Sequence, residues 1–261
     1  MRAHVPKSEW FRCFRPREWA GTTLLCFPHA GGTAAAYRDW AAELPQRYEL
    51  FAVQYPGRAD RLKAPLIDAM DPLADAIAAE VPLLPRRPTI LFGHSMGASV
   101  AYEVARRLEA GGRDVRHLYV SGRPAPTAQR PGTVHLRGDE GLLADVVRLG
   151  GTSADLLANA ELQRLVLPAL RADYRLIETY LPTPAGLLTC PVTAVIGDED
   201  TEVREDEAAA WAEVTSGPFR LRTLPGDHFY LVPQRTRLLE ELAGPRPAST
   251  AAPATQWPST P

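Results

Sequence analysis

The sequence predicts an α/β fold, a mostly parallel central sheet covered by helices on both faces. Three observations carry that expectation. Short apolar runs of strand length alternate with helical periodicity along most of the chain, the pattern left by successive strand–helix crossovers. Thr89-Ile90-Leu91-Phe92 feeds a helical stretch, Ala98 to Ala110, through Gly93-His94-Ser95-Met96-Gly97, and this Gly-x-Ser-x-Gly turn holds a serine hydroxyl clear of the sheet. From about Leu136 to Tyr180 the alternation stops and only helical periodicity remains, which reads as a lid inserted between two strands.

The elements follow in order. An edge strand is expected around Trp10 to Phe14, and Thr23 to Phe27 is a buried strand breaking into the loop Pro28-His29-Ala30-Gly31-Gly32. A helix spans about Ala35 to Leu44, and Tyr48 to Tyr55 is a strand stopped by Pro56-Gly57. Met70 to Leu84 is helical, with Asp71 as its cap and Pro72 in the first turn. After the serine turn come a strand at His117 to Val120 and the helical insertion, in which Pro168 should kink or break the second helix. Val192 to Ile196 is a strand, Asp206 to Val214 a helix, Phe219 to Leu224 a strand and Gln234 to Leu242 the last helix. The expected organisation is therefore a core over 1–135, a lid over 136–181 and a second core segment over 182–243. The stretch 244–261 is rich in Pro, Ala, Ser and Thr and has too little to bury, so it is expected to be disordered.

At 261 residues, 45% hydrophobic and 23% charged, the chain has enough apolar mass for a full core. A formal net charge of −2 gives no electrostatic footprint for nucleic acid or an anionic membrane. Cys13, Cys26 and Cys190 are widely spaced and lack metal-ligand spacing, so they read as reduced thiols of a cytoplasmic protein with neither metal nor cofactor. No apolar stretch reaches the length of a signal peptide or a membrane span.

A serine needs an imidazole to accept its proton and an acid to orient that imidazole. His228, in Pro225-Gly226-Asp227-His228-Phe229 after the last strand, stands at the carboxyl edge of a parallel sheet, where catalytic loops gather. His29 in the glycine loop and His94 inside the serine turn fit less well, the latter because its side chain should point away from Ser95 Oγ. The loop after Val192 to Ile196 offers Asp198, Glu199, Asp200 and Glu202. Asp200 is preferred, with Asp198 read as a turn-former, and the order Ser, Asp, His matches α/β-hydrolases. Acyl transfer also needs two oxyanion donors. The turn supplies Met96 N–H, and Ala30 N–H is the best candidate for the second.

The chain resembles the type II thioesterases of polyketide and nonribosomal peptide synthesis. The likeness rests on Trp10-Phe11-Arg12, Cys26 to Gly32, Gln54-Tyr55-Pro56-Gly57-Arg58, Phe92 to Ala98, Leu170-Arg171-Ala172-Asp173-Tyr174, Gly197 to Asp200 and Gly226 to Tyr230. It implies hydrolysis of acyl groups from the phosphopantetheine arm of acyl or peptidyl carrier proteins, with Ser95, Asp200 and His228 as triad and Ala30 and Met96 as oxyanion donors. One departure is Thr201, where such proteins often carry proline after the triad aspartate. The rival expectations are another serine hydrolase on the same fold, such as an oxygen esterase or lipase, and a silent module that merely holds acylated carriers. A monomer is expected. The resemblance also implies a carrier that is acidic where it docks; any single one of Arg123, Arg130, Arg137, Arg148, Arg164, Arg171 and Arg175, in or near the insertion, is read as solvating a helix face, and the set together as able to steer such a carrier.

Overall fold

A computed structural model describes residues 8–150, 159–183 and 186–244. The expected disordered tail, apart from Gly244, and the middle of the expected lid lie outside the described residues. Seven strands form one sheet: β1 (Phe11–Arg12), β2 (Thr22–Phe27), β3 (Tyr48–Val53), β4 (Thr89–His94), β5 (Val115–Ser121), β6 (Val192–Gly197) and β7 (Phe219–Leu224). Their order is β1-β3-β2-β4-β5-β6-β7. Every neighbouring pair is parallel except β1 with β3. Because β2 leads to β3 on one side while β4 joins it on the other, the strand order reverses between β2 and β4. The carboxyl ends of those two strands therefore open a crevice where ligands of such sheets bind.

Alternation along the strands fixes the layers. Leu25 and Phe27 of β2 pack with α2 (Met70–Glu80) and α3 (Met96–Ala110), through Leu73, Ile77, Val100 and Val104. Leu24 and Cys26 face the opposite side, where α1 (Arg38–Glu43) brings Trp40 and the last helix brings Leu238 and Leu242. A strand covered on both faces is buried at successive positions, and the run Thr-Thr-Leu-Leu-Cys-Phe is buried from its second residue on, with Thr23 its one fully buried polar side chain.

Between β5 and β6 stand α4 (Asp139–Arg148) and α5 (Ala160–Glu178). They meet through Leu142, Leu167, Leu170 and Tyr174, a small apolar cluster that also touches Ala30. Two further helices follow β6 and β7 among the described residues, α6 (Glu205–Ala209) and α7 (Arg235–Ala243).

The structure corrects several local expectations. Pro168 lies inside α5, and the helix runs unbroken for 19 residues around it. The proline removes one hydrogen bond, at about 3 kcal/mol. Leu167, Leu170, Tyr174, Leu176 and Ile177 are buried along the same helix, and each large side chain contributes about 1.5–3 kcal/mol. Asn159 Oδ1 adds a cap by accepting from Glu161 N and Leu162 N. Asp71 is not the cap of α2, whose N-cap is Ala69 in extended conformation. Asp71 sits in the first turn and pairs with Arg107 at 2.8 Å instead. The segment from Ala34 opens as a 3-10 turn before becoming α1, and Ala210–Val214 is 3-10 rather than α-helical. The N-terminal edge strand is only two residues long, extended by Gln54 N donating to Trp10 O.

Candidate active site

Ser95 follows β4 and precedes α3 with φ 54° and ψ −123°, a left-handed conformation that costs a serine roughly 1–3 kcal/mol. The two glycines permit that turn. A Cβ on Gly93 would lie 2.0 Å from Gly97 O, and one on Gly97 would lie 2.2 Å from Phe27 O. Ser95 N donates to Ser121 O on β5 at 2.8 Å, so the turn is tied to the neighbouring strand. Its hydroxyl stands at the N-terminus of a 15-residue helix, where the dipole favours negative charge.

The loop after β2 is pinned from behind, since Tyr37 OH donates to Phe27 O and Tyr55 OH donates to Pro28 O. Gly31 takes φ +75°, and its N–H donates to Asp173 Oδ2 at 2.7 Å. Among the described residues neither Ala30 N–H nor Met96 N–H donates to another protein group. Both residues line the same cavity as Ser95.

His228 is 4% exposed, and its Nδ1 lies 2.9 Å from Asp200 Oδ2 and 3.0 Å from Oδ1. The Asp200 side chain is fully buried and also accepts from Glu202 N at 2.9 Å. That second bond closes an Asx turn, which shapes the loop at Thr201 without a proline. Asp198 instead accepts from Gly226 N at 2.8 Å, and Asp227 accepts from Phe229 N at 2.8 Å. The two neighbouring aspartates therefore fix the turns that present Asp200 and His228 to each other. His228 and Ser95 share the cavity, although no hydrogen bond joins them among the described residues.

His94 turns away into the core. Its Nδ1 is 2.9 Å from Ser121 Oγ, which is 2.5 Å from Tyr230 OH, and Tyr230 OH donates to Val195 O at 3.1 Å. Because the tyrosine proton goes to the carbonyl, Ser121 must donate to Tyr230 and accept from His94 Nδ1–H. Its ring stands 4.9 Å from that of His228, and burial first, then the neighbouring His228, push its pKa well down. His29 packs against Phe229 with ring centroids 5.0 Å apart, and burial lowers its pKa to about 4. Of these three imidazoles only His228 has a carboxylate partner.

The cavity holds about 160 Å³. Its floor is Ser95, Met96, Ala30 and His228, and its walls include Val134, Val146, Tyr174 and Ile177 from the segment between β5 and β6. Arg123, Arg148, Asp145, Glu178 and Glu202 also line it. Among the described residues no group of His, Cys, Asp and Glu side chains could hold a metal ion.

A sequence model of the thioesterase domain matches residues 22–244. The chain belongs to the thioesterase family. Thioesterase PikA5 of Streptomyces venezuelae is 43% identical over 242 residues, covering 92% of this chain and 86% of that one. Among solved structures, the type II thioesterase BorB from the borrelidin biosynthetic cluster is 46% identical with a TM-score of 0.85, over 90% of this chain and 96% of that one. RedJ, the thioesterase from the prodiginine pathway of Streptomyces coelicolor, is 41% identical with a TM-score of 0.80, covering 86% of this chain and 85% of that one. The thioesterase shares their α/β-hydrolase fold.

Sequence reasoning singled out Ser95, Ala30, Met96, Asp200 and His228, and this thioesterase gathers all five around one crevice. It missed the part played by Asp173 and Arg58, which were visible only as motif strings. Arg58 Nη1 and Nη2 lie 2.6 and 2.7 Å from the two Asp173 oxygens, and both residues are nearly fully buried. The available signal was one arginine in the first string and one aspartate in the second, each beside aromatic or small residues, because a buried charge needs a partner.

Proposed function

We propose that this protein hydrolyses acyl thioesters from the phosphopantetheine arm of acyl or peptidyl carrier proteins, as an editing thioesterase of polyketide or nonribosomal peptide synthesis. The observation that carries the reading is the His228 Nδ1 to Asp200 contact of 2.9 Å in the crevice that holds Ser95. Asp200 keeps the imidazole proton on Nδ1 and leaves the Nε2 lone pair to accept the Ser95 proton. Ser95 Oγ attacks the thioester carbonyl, and the developing oxyanion is received by Ala30 N–H and Met96 N–H. Collapse breaks the C–S bond and expels the pantetheine sulfur as thiolate, which takes the Ser95 proton from His228 and leaves as the thiol. A thiol with pKa near ~8.5 leaves with little assistance. Water, deprotonated by His228, then resolves the acyl-enzyme and releases the acid.

In this reading α4, α5 and their approach form a lid over 136–181, whose inner side chains limit the acyl group. The triad and both oxyanion donors come from one chain, so a monomer suffices. The free Cys13, Cys26 and Cys190 support a reducing compartment, and we place the protein in the cytoplasm.

Intact-protein mass spectrometry of an acylated carrier panel tests the proposal. Incubation should convert acyl carrier to free-thiol carrier, and Ser95→Ala should abolish the conversion. Faster cleavage of oxygen esters than of matched thioesters would overturn the substrate class. Failure of a fluorophosphonate to label Ser95 would overturn the mechanism.

A further inference from the structure

Arg123 is placed at the cavity by two constraints. It follows Gly122, where a Cβ would approach His94 Cε1 to 2.8 Å and His228 Cε1 to 3.2 Å, and its own carbonyl accepts from Trp211 Nε1 at 2.9 Å. A guanidinium carries five N–H donors and no acceptor. Among the described residues none of those donors finds a hydrogen-bond acceptor or an ion-pair partner, and the Nε–H is buried without one. Burial lowers the pKa to about 10, opposed by Glu202 and other acidic groups nearby, so the group remains cationic at neutral pH.

The carboxylates around it are engaged elsewhere. Glu178 accepts from Val134 N and His135 N and pairs with the His135 ring at 2.6 Å. Glu202 holds Arg148 at 2.6 Å. Asp145 accepts from Arg148 and from Tyr174 OH at 2.9 Å. A buried donor without an acceptor is costly, and the cost is relieved by a ligand that brings one.

We infer that Arg123 selects acyl groups bearing a neutral oxygen acceptor, an oxo or hydroxyl group within a few bonds of the thioester carbonyl. The inference rests on the thioesterase reading above and names the substrates of that site. Three carboxylates against two guanidiniums line the cavity, an unfavourable balance for a carboxylated acyl group. About 160 Å³ is well under the roughly 300–1,000 Å³ of pockets for drug-sized ligands, so the acyl group is short.

The test compares kcat/KM for the 3-oxobutanoyl, 3-hydroxybutanoyl, butanoyl and malonyl thioesters of one pantetheine thiol. The wild type should favour 3-oxobutanoyl over butanoyl by about tenfold or more, the scale of one matched buried hydrogen bond to a charged group. Arg123→Met should bring that ratio to within about twofold, whatever it does to the absolute rates, and Arg123→Gln, which keeps an amide donor, should fall between. A ratio does not depend on the fraction of enzyme that folds. A ratio unchanged by both substitutions, or a wild-type preference for malonyl, overturns the inference alone. If the wild type cleaves none of the four, the inference falls, while the thioesterase reading stands or falls separately on the acylated carrier panel.

Discussion

Asp173 accepts the Gly31 N–H at 2.7 Å with the same carboxylate oxygen that Arg58 Nη1 grips at 2.6 Å. The pair ties α5 to the loop that carries Ala30, and Arg58 Nη1 also donates to Gly32 O at 3.3 Å. One buried ion pair therefore holds the backbone of the two residues that follow Ala30.

Removing one member should strand the other charge. Asp173→Leu is expected to cost about 3–5 kcal/mol of stability, seen as a large drop in Tm. Adding Arg58→Met should restore much of the Tm, because both charges then leave together. Turnover should stay at least about tenfold low in the double variant, since Gly31 has lost its acceptor and, in the proposed mechanism, the loop that supplies the Ala30 donor has lost its anchor. Recovery of kcat along with Tm would show that the pair contributes stability only.

Ser95→Ala and His228→Ala should each reduce kcat by orders of magnitude, and the double variant should be little worse, because the groups act as one unit. Asp200→Asn should also be severe, since the imidazole loses the partner that fixes its tautomer. Asp198→Asn should be mild, because an amide oxygen can still accept from Gly226 N. Steady-state kinetics on one small thioester separates these cases, and a larger loss at Asp198 would reassign the acid.

The parallel sheet's strands and the serine turn were legible because they depend on local pattern: buried strands read as apolar runs, and the turn tolerates only glycine at Gly93 and Gly97; the order of the strands in the sheet was not. His228 and Asp200 were legible from position, each following a strand at the carboxyl edge. What stayed hidden depends on contacts distant in sequence. Nothing near Pro168 announces that burial along α5 will outweigh its missing N–H, and nothing near Asp71 announces Arg107. The link from Arg58 to Asp173 spans 115 residues, and the unmatched donors of Arg123 appear only when the loop after β5 is folded against Trp211.

His117 offers a pH test away from the crevice. It lies on β5 against Tyr119, with its Nε2 2.8 Å from Thr193 Oγ1, and burial lowers its pKa to about 4. The unfolded chain protonates near ~6.5, so as pH falls from there to about 4 the unfolded state binds protons that the folded state refuses, and stability declines. His117→Gln can keep a bond to Thr193 and carries no charge. Its Tm should fall less steeply than that of the wild type over that window, with kcat unchanged. Parallel curves would assign the acid sensitivity to other groups, such as His29 and His94.

Salt should distinguish docking from chemistry, but the residues to test are not the whole arginine series. Arg130 pairs with Glu207, Arg148 with Glu202, Arg171 with Asp139 and Arg175 with Asp68, so each is largely offset and projects little field beyond a Debye length. Arg148 is also part of the cavity wall, and reversing its charge should slow every substrate. Arg137 and Arg164 are exposed and form no ion pair among the described residues. If an acidic carrier docks near α4 and α5, these two supply the uncompensated charge that steers it. Raising salt from low to physiological should then lower kcat/KM for an acylated carrier by about two- to fivefold, with Arg137→Glu plus Arg164→Glu producing a similar loss at low salt. A small acyl thioester should respond to neither change. Equal responses of the two substrates would mean that the carrier is recognised by its pantetheine arm and not by the charge of its surface.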